Sequence, residues 1–406
     1  VALVELVAMF KALEKAAFSV GYGIYKTRLG SAMHQQTCAE FANKEPHSKT
    51  IRIPLIPGYH VSIVSILHDN FCYLIADENS KTCLAVDPAD AEHVLRAVQA
   101  EGLTLTGVLT THGHWDHAGG NEQIREKFPS IKIYGSAVDQ VPGMTVPVTE
   151  GDKFWFPAKA VPGCRRLIVE VWEAPCHTKG HVLFLVTQVS SEEEDDDDDD
   201  DLETWKAGDA TKPRPLALFT GDTLFSGGTG KFFEGSAAQM ADNLKRIATL
   251  PANVKVFCGH EYTVNNYKFA AVIEPDNTEV RERLKWAERL RRDSLPTMPT
   301  SIGEEVATNP YMRIVTSRAV CSKLAMSMFE VTGELMLREG QSDYVAVLGE
   351  LRRIKDDNVL RSKVDSTTTL GGSAAQKAAA KSETTEDAAA KSKDAAAKSK
   401  DPAPDI

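Results

Sequence analysis

No stretch of this 406-residue chain is long and apolar enough to read as a membrane span. A basic stripe is missing too, with 46 Lys and Arg against 57 Asp and Glu, so nothing supports nucleic-acid binding. Cysteine pairs are absent: Cys38, Cys72, Cys83, Cys164, Cys176, Cys258 and Cys321 are scattered, odd in number and without C-x-x-C spacing. That pattern argues against a disulfide framework and for buried thiols in a reducing compartment. The remaining composition, 42% hydrophobic and 25% charged, is that of a globular chain with one large core or two domains.

The net charge of −11 is a local feature, because residues 192–201 are ten consecutive acids and the rest is near neutral. Adjacent like charges repel and cannot enter a core, so residues 190–212 read as a solvated acidic loop. At the start, Leu3, Val7, Phe10, Leu13 and Ala17 recur at helical spacing. Two readings stay open for residues 1–50: a surface helix packed on the body, or a membrane-proximal or targeting helix. Residues 358–406 are rich in Ala, Lys and Ser, repeat A-A-A-K and lack the large apolar residues a core needs. They read as a disordered tail.

Between these ends the text changes once. From about residue 51 it is dense in short strands. Residues 61–67 and 71–75 flank the turn pair Asp69-Asn70 and predict a hairpin. Residues 82–86, 91–101 and 106–111 predict strand, helix and strand, and further strands are expected near 131–134, 167–173, 182–188, 216–220 and 254–258. Helices are expected near 120–128 and 236–249, which makes the region mixed α/β. After residue 262 strands should disappear, leaving helices over 262–272, 278–293 and 342–357 with Pro296, Pro299 and Pro310 as breakers.

Chemistry concentrates in Thr111-His112-Gly113-His114-Trp115-Asp116-His117, directly after a predicted strand. Imidazole and carboxylate at this density suit a divalent first-row metal. His177, Asp222 and His260 each stand at the end of another predicted strand, which should bring them to the same sheet edge. His181 reads either as a neighbour of the ligands or as a packing residue, and Cys176 and Cys258 read as small buried packing residues.

With these partners the T-H-x-H-x-D-H motif resembles the metallo-β-lactamase superfamily, and within it the glyoxalase II, or hydroxyacylglutathione hydrolase, family. The segments A-P-C-H-T-K-G-H (174–181), F-T-G-D-T-L-F (219–225), G-K-F-F-E-G (230–235), C-G-H-E-Y-T (258–263), N-P-Y-M-R (309–313) and L-R-R-I-K-D (351–356) carry the resemblance across residues 55–357. G-Y-G-I-Y-K-T-R-L-G (21–30) and H-S-K-T (47–50) are similar to the region ahead of the hydrolase domain in the paroxysmal-dyskinesia-associated glyoxalase II-like proteins. That finer resemblance implies a membrane-proximal or mitochondrial relative; the expected location is cytoplasmic or mitochondrial, with peripheral membrane contact through the N-terminal segment.

The resemblance implies an αββα sandwich over residues 51–262, followed by a smaller helical substrate-binding domain over 263–357. It implies a monomeric thioester hydrolase that cleaves S-D-lactoylglutathione or a related acylglutathione through a hydroxide held by two metal ions, as in methylglyoxal detoxification. Zinc is the expected metal, and iron or manganese suits the same donors. Carried over by position, His112, His114 and His177 would hold one ion, Asp116, His117 and His260 the other, and Asp222 would bridge. Asp116 and His114 would stand closest to catalysis, with Asp116 orienting the nucleophile. Lys231, Phe233, Tyr262, Arg352 and Lys355 would contact substrate, although Arg352 and Lys355 alone would read as a solvated helix face. Phe233 departs from the family's tyrosine, and one lost hydrogen bond is worth roughly 0.5–1.5 kcal/mol. The alternatives are a metallo-hydrolase for another ester, or a membrane-associated regulatory protein with a residual metal site.

Overall fold

A strand covered on both faces needs apolar residues at nearly every position. Strands β2 (Tyr59–Ile66) and β3 (Asn70–Asp77) come close to that and are buried throughout. The structure is a computed structural model that describes residues 27–157, 166–189, 213–332 and 343–357. The helical pattern over residues 3–17, the acidic run and the tail from 358 lie outside the described residues.

β2 and β3 sit in a seven-stranded sheet with β1 (Ile51–Ile56), β4 (Thr82–Val86), β5 (Thr104–Leu109), β6 (Lys132–Ser136) and β7 (Val146–Val148), in sequential order. The alternation of side chains sorts them into two cores. Val61, Ile63, Phe71, Tyr73 and Ile75 point into one core with the second sheet. Val64, Ile66, Cys72, Leu74 and Ala76 point the other way, where Val94 and Val98 of helix α2 (Ala91–Ala100) and Ile124 of α4 (Asn121–Lys127) cover them. Each Val, Leu, Ile or Phe side chain among them that is fully removed from water contributes roughly 1.5–3 kcal/mol. Asp90 starts α2 by accepting the amides of Glu92 and His93.

The second sheet has the order β15-β14-β11-β10-β9-β8. Its strands are β8 (Lys153–Phe156), β9 (Leu167–Glu173), β10 (Val182–Gln188), β11 (Arg214–Gly221), β14 (Lys255–Cys258) and β15 (Thr300–Ser301). Phe219 and Phe257 stack 5.1 Å apart on its inner face, and Tyr73 meets both edge-on. The Tyr73 hydroxyl crosses the core to donate to the Cys258 carbonyl, which ties the two sheets together at one end.

Two expectations are corrected here. The hairpin turn is residues 67–69, with Leu67 at φ 53°, and Asn70 already belongs to β3. Asn70 belongs to the strand because its backbone pairs with Ile66 across the hairpin, and its side chain reaches across to Asp116. Strands do not end at 262, since the two-residue β15 pairs with β14 before helix α8 (Ile302–Thr308) begins.

Helix α1 (Arg28–Phe41) precedes the first sheet, and α5 (Ala237–Ile247) precedes β14. Helices α6 (Thr263–Ile273), α7 (Thr278–Arg292), α8, α9 (Pro310–Thr316), α10 (Arg318–Thr332) and α11 (Asp343–Asp356) follow. They dock on the small hairpin of β12 (Leu224–Phe225) and β13 (Gly228–Thr229). Asn309 donates to the carbonyls of Phe225 and Gly228, and Arg352 of α11 donates to that of Thr229. The hairpin follows Asp222 directly, so the helices are held against the sandwich edge where the motif residues gather. Among the described residues no helix is long and apolar enough to cross a membrane.

Candidate metal centre

The ends of four strands deliver the polar residues. The loop after β5 carries His112 and His114, and the short helix α3 (Trp115–Ala118) carries Asp116 and His117. His177 sits in the β9–β10 connection, Asp222 follows β11, and His260 follows β14. β5 belongs to the first sheet and the others to the second, so the site spans the shared edge of both sheets rather than one sheet edge.

All seven candidate ligands come together. His114 Nδ1 lies 3.0 Å from His112 Nε2 and 3.3 Å from His177 Nε2. His260 Nε2 lies 3.3 Å from His117 Nε2 and 3.5 Å from Asp116 Oδ2. Asp222 divides between the two groups: Oδ2 is 3.4 Å from His177 Nε2, while Oδ1 is 3.3 Å from His117 Nε2 and 3.5 Å from His260 Nε2. Metal–nitrogen bonds of about 2.0–2.1 Å place tetrahedral donors roughly 3.3 Å apart, which is the spacing seen here. Asp222 Oδ1 is buried without a hydrogen bond, a costly state for a carboxylate unless a cation serves it. The donors are therefore compatible with a binuclear metal site.

Behind the donors stands a ring of braces. His117 Nδ1 donates to Asp87 at 2.9 Å, His260 Nδ1 to Asp69 at 2.9 Å, and His177 Nδ1 to the Lys231 carbonyl at 3.0 Å. Such bonds fix the tautomer and free the other nitrogen for a metal. His112 departs from the carbonyl-or-carboxylate pattern: its Nδ1 meets the Thr111 hydroxyl at 3.0 Å, which donates onward to Asp87. Asp87 holds a positive φ of 52°, a strained conformation for a non-glycine residue. Asp139 accepts from the amides of Gly113 and Gly180 and from the Thr178 hydroxyl, and so joins the loops carrying His114 and His177. His181 accepts the Asp222 amide at 3.1 Å and holds that loop in place. It belongs to none of the ligand clusters.

The electrostatics of the two groups differ. Burial, reinforced by the neighbouring imidazoles, pulls His112 well below the usual histidine range and His114 down to about 3. Burial also lowers His177, against the pull of Asp222. For His117 and His260 burial works the same way but loses. Asp222 with Asp87 holds His117 well above the usual range, and Asp222 with Asp69 brings His260 up to about 10. A cation entering the second group must therefore displace protons. The thiols beside the ligands are not nucleophiles, since burial pushes Cys176 up to about 12 and Cys258 higher still.

Close approach sets two glycines. A Cβ at Gly259 would lie 2.5 Å from Asp222 Oδ1 and 2.6 Å from His117 Cε1. One at Gly230 would overlap the Asp222 carbonyl oxygen.

From the cluster a cleft of about 640 Å³ opens, lined by His114, Asp116, His177, Asp222 and His260 on its floor. Lys231, Phe233, Tyr262, Arg352 and Lys355 line its walls, with Asn265 and Asn266 beside them. Phe233 packs 5.0 Å from the His177 ring, and Tyr262 stacks on His260 at 4.7 Å. Arg352 is buried rather than solvated, at 7% exposure. Its Nη1 and Nη2 are committed to the Thr229 carbonyl and to Asp356, and its Nε is buried without a partner. Lys355 donates to Asn266 Oδ1.

Residues 67–189 match the metallo-beta-lactamase superfamily, and residues 261–358 match the hydroxyacylglutathione hydrolase C-terminus. The chain is 41% identical over 252 residues to the cytoplasmic hydroxyacylglutathione hydrolase of Arabidopsis thaliana, covering 62% of this chain and 86% of that protein. It is 38% identical to a hydroxyacylglutathione hydrolase of Synechococcus, covering 62% and 88% of the two chains. A hydroxyacylglutathione hydrolase-like protein of Gallus gallus is 39% identical, with 64% of this chain and 82% of the relative covered. The chain belongs to the hydroxyacylglutathione hydrolase family.

Several working residues of this hydroxyacylglutathione hydrolase relative escape a reading of its sequence. Asp87, Asp69 and Asp139 are single acids in ordinary turns, and their partners lie 24 to 191 residues away. Only Asp87 carries a local signal, an acid between a strand and Pro88.

Proposed function

We propose that this chain hydrolyses acylglutathione thioesters, S-D-lactoylglutathione foremost, with two divalent cations as cofactors. The observation that carries the reading is Asp222, buried on the cleft floor with one carboxylate oxygen toward each histidine group. In this reading His112, His114 and His177 hold one ion and Asp116, His117 and His260 hold the other, with Asp222 shared. Zinc suits the imidazole-rich set best, and iron and manganese compete for the same donors according to supply. When bound, such ions lower the pKa of water from 15.7 toward ~7 and stabilise negative charge on a carbonyl oxygen.

The chain's own groups do the rest. Asp116 sits at the cleft floor, held by the Asn70 amide on its backbone, and orients the attacking oxygen. Lys231 is exposed at the rim and pairs with a carboxylate of the peptide part of the substrate. Arg352 fixes the Thr229 wall and leaves Nε for a polar partner. The thiolate leaves without a proton donor, because a thiol of pKa ~8.5 is a good leaving group. A free thiol nucleophile is not required, in keeping with the protonated Cys176 and Cys258.

The test is steady-state hydrolysis of S-D-lactoylglutathione by metal-loaded protein beside His117→Ala. Turnover in the intact protein that is lost in the variant supports the reading. A metal-filled protein that turns over no acylglutathione overturns it and directs attention to another ester.

A further inference from the structure

The segment His47-Ser48-Lys49-Thr50 takes no part in the cleft, yet it is tightly held. His47 Nε2 donates to the Asn70 carbonyl at 2.9 Å. That bond leaves Nδ1 to accept from the Ser48 hydroxyl at 3.0 Å. Ser48 in turn accepts from Arg291 Nη1 on α7, and Arg291 Nη2 donates to the His47 carbonyl. The Lys49 amide donates to the Ser294 carbonyl at 2.8 Å. On the other side the His47 ring lies 5.1 Å from Phe71, and Phe41 meets His68 edge-on at 6.1 Å. The segment ahead of β1 therefore grips the turn at residues 67–69 and the start of β3 from behind and anchors them to α7.

The front of that turn faces the metal cluster. Asn70 Nδ2 donates to the Asp116 carbonyl at 2.9 Å and lies 3.4 Å from both Asp116 Oδ2 and His260 Nε2. Asp69 accepts from His260 Nδ1, and the Glu261 amide donates to the Asp69 carbonyl. Asp116 and His260 are thus both steadied by two adjacent residues, and His47 holds the backbone of one of them, Asn70.

We infer that His47 is a positioning residue for the second ligand group, Asp116 and His260, and that the segment ahead of β1 is part of the apparatus that retains the second metal ion. The inference rests on the ligand assignment under Proposed function. His47 stands two hydrogen bonds from the ligands, behind Asn70, so its loss belongs at the low end of the 10–100-fold range seen when direct partners of metal ligands are lost.

The experiment titrates full-length protein, loaded with zinc, against a graded chelator and counts ions per chain. It compares the intact chain with His47→Ala and with His47→Gln, whose amide keeps a donor near the Nε2 position. Cobalt substitution adds a spectroscopic signature of coordination, and thermal unfolding reports the fold. The expected result is two ions in the intact chain, with the second released from His47→Ala at about tenfold higher free metal and the first unchanged. kcat falls with KM retained, and His47→Gln recovers most of the loss. An intact chain that binds two ions while His47→Ala holds both equally well overturns the inference alone. Loss of both ions together with a collapse of thermal stability in both variants overturns it in favour of a general structural role. An intact chain that never binds a second ion overturns the ligand assignment and this inference with it.

Discussion

Two groups of candidate ligands share one carboxylate, and their supports differ in kind. His112 and His177 back onto a hydroxyl and a backbone carbonyl, whereas His117 and His260 each back onto a carboxylate. The first group is nearly neutral before any cation arrives, because burial keeps its imidazoles unprotonated. The second carries charge on both sides: Asp69, Asp87, Asp116 and Asp222 surround two imidazoles whose pKa they raise. A buried charge is tolerable only when paired. The contrast teaches that both groups exclude water, and that burial decides the charge of one while neighbouring carboxylates decide the charge of the other.

The most damaging way to probe this comparison is to remove what the two groups share. Asp222→Ala should release both ions and lower turnover on the order of 10³-fold, since several kcal/mol of charge stabilisation would vanish. Metal analysis beside kinetics checks this, and full occupancy with normal turnover would falsify the bridging role. Smaller, and more discriminating, is a pair of neutralised acids. Asp69→Asn should weaken the second ion by 10–100-fold and spare the first. Asp139→Asn should do the reverse, because an amide offers one acceptor oxygen where the carboxylate now serves three donors. Chelator competition on each variant reads the two affinities, and equal weakening of both ions in either variant would erase the distinction. The gentlest change is Phe233→Tyr on the wall beside His177. A restored hydroxyl worth roughly 0.5–1.5 kcal/mol should lower KM for S-D-lactoylglutathione about two- to tenfold with kcat little altered. An unchanged KM would mean that the wall beside the first group does not read the peptide.

Much of the ligand cluster can be read in the chain itself, because each donor follows a strand that announces itself by an apolar run. His112 follows the strand ending at Leu109, Asp222 follows Gly221, and His260 follows Gly259. The supports cannot be read this way. Asp69 and Asn70 look like an ordinary turn pair, and nothing near them in sequence says that His260 waits on the far side of the sandwich. Asp139 occupies a short connection after β6, and its three donors come from two distant loops. The two-residue strand at Thr300–Ser301 is too short to leave a period-two pattern and exists because β14 offers it an edge. Arg352 misleads in the opposite direction. Its helical surroundings are rich in charge, yet its side chain is buried against the β12–β13 hairpin.

His260 has one more consequence, in the order of biosynthesis. Chains are made from the N-terminus, and domains fold as they emerge. His112, His114, His177 and Asp222 leave the ribosome before β14 exists, and β14 must pair in parallel with β11 before His260 can face the others. The newborn protein thus completes its neutral pocket first and its charge-compensated pocket last.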